Sequence, residues 1–409
     1  MADQISYKAA MEGVLKNVYL GTIREQFPYG RVLDSLLGKN TEDFDGIQGV
    51  VSVRLSPPGG VGFRPEDTGG ASSALPDSIR QTVKHAFIPM AYLYATFAIS
   101  GPYMNSGKTT AGAFAKPLQD EMEQLTEAIK KVANIYSYGD GSGALAKITN
   151  ISGTTITVDR WNHLFEDTRT IDSYTAKSGG SQHLDGATIS APVEGNLTFD
   201  VDAIGTAAVG DFIFLENTRG ICQMGLMGIV DDGTFLSTHQ GISRSSYWRW
   251  KGLRLHNSGV ARKITESLII DAIASARYRG VNPDLIVGSA FQLADLSKEL
   301  QIQRRFVNPE KKLAGGLRAL EFNGIDFVDD MDCVPGYSFM LTKKDLAFFE
   351  LQNLQWMQAD GAILNRIKDT NGRKDAYEGT LCMYRELASY RNNSHIRIED
   401  LEENKPTGI

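Results

Sequence analysis

The segment from Gly101 to Thr110, GPYMNSGKTT, contains the residue types of a phosphate-binding loop. In such a loop, glycines let successive backbone N–H groups converge on the phosphates, and a lysine reaches the terminal phosphate groups. That geometry requires four residues between the two glycines, whereas five separate Gly101 from Gly107. We therefore interpret the segment as a glycine-rich turn from strand to helix. An ATPase that uses Gly101–Thr109, with Lys108 on the phosphates, is the alternative function.

A second chemical candidate is the acidic run formed by Asp329, Asp330 and Asp332. Hard cations such as Mg²⁺ and Ca²⁺ prefer clustered oxygen ligands, which this run could provide. The glycine and glutamate spacing of a calcium loop is missing, so the competing interpretation is a solvated turn between two strands. Asp231-Asp232-Gly233 is a weaker version of the same pattern. No metal site is assigned.

The familiar catalytic signatures are absent from the sequence. No histidine pair has HExxH spacing, no serine lies in GxSxG, and no CxxC occurs. A catalytic triad assembled from distant positions stays open, but nothing favours one. We predict no catalytic residue and no cofactor, and we expect that the protein is not an enzyme. The scattered histidines and cysteines are His85, His163, His183, His239, His256, His395, Cys222, Cys333 and Cys382.

The segment Ser243–Leu255, SRSSYWRWKGLRL, mixes basic and aromatic side chains. Aromatic rings interleaved with arginines can stack bases and hold phosphates. Tryptophan, tyrosine and arginine are also enriched at protein interfaces. Because the chain is acidic overall, we favour an amphipathic strand at a subunit interface.

Composition restricts the class of protein. The 409 residues are 42% hydrophobic and 22% charged, which is typical of folded domains. The formal net charge of −7 leaves no positive excess for gripping DNA. No secretion signal is recognisable, and the odd, widely spaced cysteines favour a reducing compartment, so we expect cytoplasmic folding. The apolar run Ala86–Ile99 is too short to span a membrane and is predicted to be a buried strand pair.

A long loop interrupts the first strands. Nine of the 22 residues from Ser56 to Asp77 are glycine or proline, which opposes regular structure. Strand-like sequence flanks the loop at Val50–Leu55 and from Val83 onward, so we predict a greatly extended hairpin. A short helix is predicted within residues 8–20, and the apolar residues that follow it predict an arm that packs on another molecule. Loops of this length are usually functional or disordered.

The rest of the chain alternates between helical and extended patterns. Apolar residues with a 3.6-residue period predict one long helix from Lys116 to Tyr136, and the next block, to about Gly220, is β-rich and barrel-like. Beyond it we predict an α/β or α+β lobe. Its elements are a helix at Ile264–Arg279, a buried strand at Pro283–Val287, a helix capped at Ser289, a hairpin turning at Asn323-Gly324, a strand at Tyr337–Leu341, strands at Tyr377–Tyr384 and His395–Ile398, and a loose tail ENKPTGI.

This order of elements resembles the major capsid protein of tailed bacteriophages, the head coat subunit with the phage/herpesvirus capsid fold. The likeness is strongest over the last 120 residues or so, where the motifs are Trp356, Asp360-Gly361, Leu364, Arg366, Tyr377-Glu378, Leu381, Tyr384, Leu387, Arg391-Asn392, His395 and Ile398. The hairpin Gly324–Asp330, followed by Val334-Pro335-Gly336, is also similar to the family's lobe around the capsomer axis.

The resemblance implies an α+β fold with seven regions. These are an N-terminal arm at 1–48, an extension loop with flanking strands at 49–100, the spine helix of a peripheral domain at 101–143, an inserted β-domain at 144–220, a return to the peripheral domain at 221–261, an axial α/β domain at 262–365, and C-terminal peripheral strands with a tail at 366–409. No long charged helical extension precedes the arm, so we expect any scaffolding segment to be absent, removed or a separate protein.

The function implied by the resemblance is structural: self-assembly of hexamers and pentamers into an icosahedral head shell around double-stranded DNA. Expected partners are other copies of the chain, a scaffolding protein, a portal and a decoration protein, with weak non-specific contact to the packaged DNA and no membrane. The expected location is the virion capsid, after assembly in the host cytoplasm. Besides the ATPase, a phage tail or adhesin protein whose threonine-rich β-block binds carbohydrate is an alternative.

Overall fold

The computed structural model describes residues 32–41, 48–64, 75–102, 117–303, 310–312, 318–358, 362–369 and 372–403. These residues divide into two compact units. The smaller unit contains the described residues of 94–128 and 356–381, and the larger unit contains the others.

The elements alternate along the chain without a repeating βαβ pattern, so the fold is mixed α+β. The helices are α1 Val32–Leu36, α2 Pro117–Ser137, α3 Leu226–Ile229, α4 Glu266–Tyr278 and α5 Ala290–Gln303. The strands are β1 Gly38–Asn40, β2 Gly49–Ser56, β3 Thr82–Ile88, β4 Ala91–Ser100, β5 Ala146–Ser152, β6 Thr155–Val158, β7 Thr170–Tyr174, β8 Gln182–Val193, β9 Thr198–Val201, β10 Phe212–Leu215, β11 Thr238–His239, β12 Ile242–Ser243, β13 Leu253–Leu255, β14 Leu285–Gly288, β15 Glu310–Lys312, β16 Arg318–Phe322, β17 Ile325–Asp329, β18 Ser338–Leu341, β19 Leu346–Trp356, β20 Asn365–Asp369, β21 Gly372–Ser389 and β22 Ile396–Ile398.

A seven-stranded mixed sheet has the order β13-β22-β18-β14-β17-β16-β15. Its centre is β14, which is buried along its whole length and runs parallel to β17 and antiparallel to β18. The predicted turn between β16 and β17 is confirmed, because Asn323 and Gly324 have φ angles of 52° and 79°. The predicted cap of α5 is also confirmed: the Gln292 N–H donates to Ser289 Oγ, and the Ser289 N–H donates to Gln292 Oε1, both at 3.3 Å.

Six strands form a closed barrel in the order β10-β5-β6-β9-β8-β7, within the block that the sequence predicts to be β-rich. The predicted hairpin β5–β6 turns at Gly153, where φ is 63°. The sequence pattern does not predict strand β7, because two of its buried residues, Asp172 and Ser173, are polar. The Asp172 carboxylate accepts hydrogen bonds from the Gly186 and Asn217 N–H groups, both at 2.9 Å, which offsets its burial. Whether this barrel is an inserted domain stays a prediction.

Helix α2 confirms the predicted long helix and extends from Pro117 to Ser137. Its last two turns belong to the larger unit, where Val132, Ile135 and Tyr136 pack into the barrel core. Tyr138, just after the helix, is fully buried in the core beneath the seven-stranded sheet. The C-terminal half of the helix is therefore fixed between two hydrophobic cores.

Two segments pack on their own chain, although the sequence predicts an arm that packs on another molecule for one and a loose tail for the other. Within the predicted arm 1–48, Leu33 of α1 is fully buried, and β1 pairs in parallel with β19. These residues of the predicted arm contact their own chain, because Leu33 reaches a hydrophobic core, and the assignment of 1–48 as an arm stays a prediction. The first residue of the predicted tail, Glu403, accepts hydrogen bonds from Ser289 Oγ at 2.8 Å and from Gln292 Nε2 at 2.9 Å. Residues 1–31 and 404–409 lie outside the described residues.

The predicted buried pair of strands within Ala86–Ile99 is also wrong. Strand β3 pairs with β2, whereas β4 pairs with β21 in another sheet of order β1-β19-β21-β20. Strand β4 alternates between buried or half-buried and exposed residues, and β3 exposes Val83, Lys84 and His85 in succession, so neither is a buried strand. Pro89 lies between them and lacks the N–H that a continuous strand needs. Among the described residues, no helix is long and apolar enough to cross a membrane.

We predict that Leu33→Ala destabilises the larger unit by about 2–5 kcal/mol, the typical cost of truncating a buried leucine. Leu351→Ala, at a position that is 46% exposed, is the matched control and should cost clearly less. Urea unfolding followed by tryptophan fluorescence measures both. Equal costs for the two variants would show that α1 is not part of the core.

Candidate functional site

Strands β2 and β3 form the predicted extended hairpin, and we name residues 49–64 and 75–88 the hairpin arm. The antiparallel register runs from Gly49 opposite Ile88 to Ser56 opposite Thr82. Beyond the strands, the Gly59 N–H still donates to the Ile79 carbonyl at 2.9 Å. Residues 65–74, which connect the two sides, lie outside the described residues. The arm is thus a two-stranded ribbon that extends beyond its last regular pair.

The arm carries apolar side chains that are almost fully exposed on this chain. Val61 is 93% exposed, Phe63 103%, Leu75 86% and Ile79 63%, and we name these four residues the arm tip. Glycines and prolines dominate around them, and Gly60 has a φ of 85° that favours glycine. Soluble proteins rarely leave such a group of large apolar side chains in water unless another molecule covers it. The arm tip therefore has the character of a binding surface.

The two faces of the hairpin arm differ in their surroundings. On one face, Leu55 and Ala86 are buried against Ile242 and Trp250. The other face exposes Val50 and Phe87, which lie opposite each other in the register. A two-stranded ribbon has no second layer for this face, because a sheet needs more strands or a covering element to bury both sides.

The base of the arm is held by the segment that contains β11 and β12. The Phe87 N–H donates to the Gln240 carbonyl at 2.9 Å. Trp250 donates from Nε1 to the His239 carbonyl at 3.1 Å, and the two rings stack. Burial, with the charge of Arg244 adding to it, holds the pKa of His239 well below its ordinary value. The imidazole is therefore neutral, and the base of the arm rests on a packed, uncharged contact.

A buried group of charges fixes the segment on which the arm rests. Asp231, Arg244 and Arg397 are all completely buried. Asp231 Oδ2 lies 3.5 Å from Arg244 Nη1, and Asp231 Oδ1 lies 3.3 Å from Arg397 Nη2. Arg244 also donates to the Gly228 and Ile229 carbonyls at 2.8 and 2.7 Å. Burial lowers the pKa of Arg244 to about 10, so the guanidinium remains charged at neutral pH.

These contacts correct the interpretation of Ser243–Leu255 as one amphipathic strand. The segment contains the short strands β12 and β13 with a 3₁₀ turn at Trp248–Trp250 between them. Its two largest buried side chains, Arg244 and Trp250, point inward and make the contacts described above. Trp248 remains 65% exposed, and the Arg249 guanidinium lies 4.7 Å from its ring centre. Arg244 and Trp250 are therefore occupied inside the fold, whereas Trp248 and Arg249 remain at the surface.

The acidic run at 329–332 is neither a metal cluster nor a solvated turn. Asp330 is 1% exposed and accepts a hydrogen bond from the Tyr138 hydroxyl at 2.7 Å. The Asn134 amide donates to Asp330 and also to Asp332, at 2.8 Å from Asp332 Oδ2. Within the described part of the chain, no group of three or more His, Cys, Asp or Glu side chains could hold a metal ion. The turn is a hydrogen-bonded junction with α2 in which Asp330 is buried and Asp332 is half-buried.

The candidate phosphate loop is only partly within the described residues. Gly107, Lys108 and Thr109 lie outside them. Gly101 is described, and its Cα lies beside the Asp375 carboxylate. A carboxylate at this position repels phosphate, so the local charge does not favour a nucleotide at the first glycine. Cys222, Cys333 and Cys382 are free thiols, consistent with the predicted absence of a disulfide framework.

Known structures share this fold, although the sequences have diverged widely. No protein-family model matches the sequence, and no curated protein matches it. The capsid asymmetric unit of cyanophage A-1(L) matches with a TM-score of 0.59 and 13% identity, over 95% of this chain and 98% of that chain. A structure from Mycobacterium phage Bobi matches with a TM-score of 0.53 and 9% identity, over 97% of this chain and 98% of that chain. The SrpI encapsulin complex from Synechococcus elongatus matches with a TM-score of 0.51 and 9% identity, over 98% of this chain and 98% of that chain.

These likenesses establish the fold. The chain has the mixed α+β fold of phage capsid proteins, which confirms the α+β class and the capsid fold that the sequence predicts, whereas the individual domains stay predictions. An encapsulin complex shares the same fold. The hairpin arm, α2 and the seven-stranded sheet are therefore parts of one fold that is found in shell assemblies.

We predict that Asp231→Asn destabilises the fold by about 3–5 kcal/mol, because it leaves Arg244 buried without a counter-charge and removes one of the two carboxylates that pair with Arg397. Asp232→Asn is the matched control: its carboxylate is 39% exposed, so the same chemical change should cost about 1 kcal/mol or less. Urea unfolding measures both variants. If Asp231→Asn costs no more than Asp232→Asn, the buried charges do not hold the base of the arm.

Proposed function

We propose that this chain is a major capsid protein, a structural subunit that self-assembles into the icosahedral head shell of a bacteriophage. The observation that carries the proposal is the arm tip, whose four apolar side chains are exposed on a chain with the fold of phage capsid proteins. Covering them requires a second molecule. In a shell built from one kind of subunit, that molecule is another copy of the chain.

Each main element of the fold has a proposed place in the capsid subunit. The hairpin arm is the extension loop, α2 is the spine helix of a peripheral domain, and the barrel is an inserted domain on that periphery. The seven-stranded sheet with α4 and α5 forms the core of the axial domain, and β21 belongs to the peripheral strands. The N-terminal arm is proposed at 1–48, and its described elements α1 and β1 also pack on their own chain.

The energetics of the proposed interlock are those of repeated weak contacts. Burying one large apolar side chain contributes about 1.5–3 kcal/mol, so a single arm tip gives a modest association free energy once the ordering of the arm is subtracted. In a closed symmetric shell the same contact recurs at every subunit. Simultaneous contacts through the rest of the subunit raise the effective concentration at each arm. Modest individual contacts thus add up to a stable particle.

The partners and location that we propose are those of a capsid subunit. Copies of the chain form hexamers and pentamers, and a scaffolding protein, a portal and a decoration protein are expected in addition. Contact with packaged double-stranded DNA is weak and non-specific, since the chain carries a net charge of −7. Assembly in the host cytoplasm, with the mature protein in the virion, completes the proposal.

The enzyme and adhesin alternatives have less support. The structures that match this chain include capsid and encapsulin shells, and a shell subunit needs no catalytic group. The barrel interior is filled by its own apolar side chains, such as Ile156, Phe199 and Ile213, which leaves no room there for a carbohydrate. The described residues favour association as the chemistry of this protein.

We predict that the double variant Val61→Ser/Phe63→Ser abolishes assembly and leaves the subunit folded. The two substitutions remove apolar surface that is in water in the free chain, so the stability of the subunit should change by less than about 0.5 kcal/mol. Electron microscopy and sedimentation velocity of the protein, expressed with its scaffolding partner if one is required, measure assembly. Circular dichroism checks the fold.

The matched control is Val209→Ser/Ile221→Ser, which makes the same type of change at positions that are 63% and 67% exposed but away from the hairpin arm. This control should assemble like the wild-type protein. Shells from the Val61→Ser/Phe63→Ser variant at the wild-type yield would contradict the role of the arm tip. A wild-type protein that stays monomeric or dimeric with its scaffolding partner would contradict the capsid function itself.

A further inference from the structure

The turn at 330–333 contains a carboxylate in an unusual setting, separate from the hairpin arm. Asp332 Oδ2 accepts from Asn134 Nδ2 at 2.8 Å, and the same nitrogen lies 3.2 Å from Asp330 Oδ2. One neutral amide on α2 therefore bridges two carboxylates. Two negative charges this close in a buried site repel each other unless one of them carries a proton.

The hydrogen-bond pattern around Asp332 also lacks a donor. Asp332 Oδ1 and Asn134 Oδ1 are both buried, and neither has a hydrogen-bond partner among the described residues. A buried acceptor without a partner costs free energy. A proton on Asp332 lowers that cost in two ways, since it removes one negative charge and supplies an O–H donor next to buried acceptors.

The charged groups around Asp332 do not neutralise it. Asp330 and the buried Cys333 lie beside Asp332 on its own turn. The Tyr138 hydroxyl donates its hydrogen bond to Asp330. From α2, the charge of the Lys131 ammonium acts on Asp332, but this ammonium is paired with Glu166, 2.7 Å from its Oε1. Other charged or titratable side chains line the cavity beside the turn: Tyr136, Asp140, Arg160, His163, Lys177, Glu194 and Glu403.

The protonation equilibrium of Asp332 agrees with this geometry. Burial and the charge of Asp330 raise the pKa of Asp332 to about 7, although the Asn134 hydrogen bond and Lys131 oppose the shift. In an opened turn the carboxylate has the ordinary pKa of about 4. The closed turn therefore binds a proton more tightly than the open one, so its stability is complete at low pH and decreases as the pH rises through 7.

We propose that the turn 330–333 is a proton-controlled latch on helix α2, closed while Asp332 is protonated and weakened when Asp332 is ionised. The latch joins the last turns of the long helix to the loop between β17 and β18. A rise in pH through neutrality loosens this joint without touching the hairpin arm. The proposal does not depend on the capsid function.

Cys333 provides a direct reporter, because its side chain is 3% exposed and lies in the latch itself. We would measure the rate of its alkylation by iodoacetamide, resolved by peptide mass spectrometry and divided at each pH by the rate in the urea-unfolded chain. This ratio reports how often the turn opens. In the wild-type protein we expect it to increase about tenfold from pH 6 to pH 8, as linkage to a group titrating near pH 7 requires.

Asp332→Asn, which imitates the protonated acid, should reduce this increase to less than about twofold and should protect Cys333 at pH 8 relative to the wild-type protein. Asp271→Asn on the exposed face of α4 is the control with the same charge change, and it should behave like the wild-type protein. Lys131→Gln removes the nearby cation, so the midpoint of the opening curve should move to higher pH. A wild-type ratio that is independent of pH, or Asp332→Asn and wild-type curves that coincide, would overturn the proposal.

Discussion

The constraint on which the rest of the structure depends is that a two-stranded ribbon cannot bury its own apolar side chains. The hairpin arm has one packed face, at Leu55 and Ala86, and among the described residues there is no second layer for the other face or for its tip. Glycine and proline around the tip prevent the chain from folding back into a regular element there. The apolar residues Val61 and Phe63 are thus left exposed on the single chain, and we propose that association with another copy covers them.

On the proposed function, the arm tip can reach its position on a neighbouring copy only if the base of the hairpin arm is rigid. The chain supplies that rigidity with a hydrogen bond from Phe87, the packed indole of Trp250, and the ion pairs of Asp231 beneath them. Buried ion pairs contribute little net stability compared with an apolar core, but they tolerate few alternative geometries. Here they hold the segment on which the base of the hairpin arm rests. The latch at Asp332 acts on a different joint and leaves this base unchanged.

The sequence predicts those elements whose signals are local. Periodicity identifies α2, the Asn323-Gly324 pair identifies a hairpin turn, and the Gly/Pro-rich run identifies the arm, because each depends on residues that are neighbours in the chain. The buried charges were missed, since Asp231 and Arg397 are 166 positions apart. Strand β7 was missed because its buried Asp172 finds partners only in the folded barrel. The same limit applies to Asp332, whose bridging amide lies 198 positions away on α2.

The most direct measurement of the central claim is a cryo-EM reconstruction of particles purified from the source, at a resolution that shows side chains. Our account predicts that Val61 and Phe63 of each subunit lie against the surface of a neighbouring copy and are excluded from water. It would be contradicted by particles in which these side chains face solvent or pack only against their own chain.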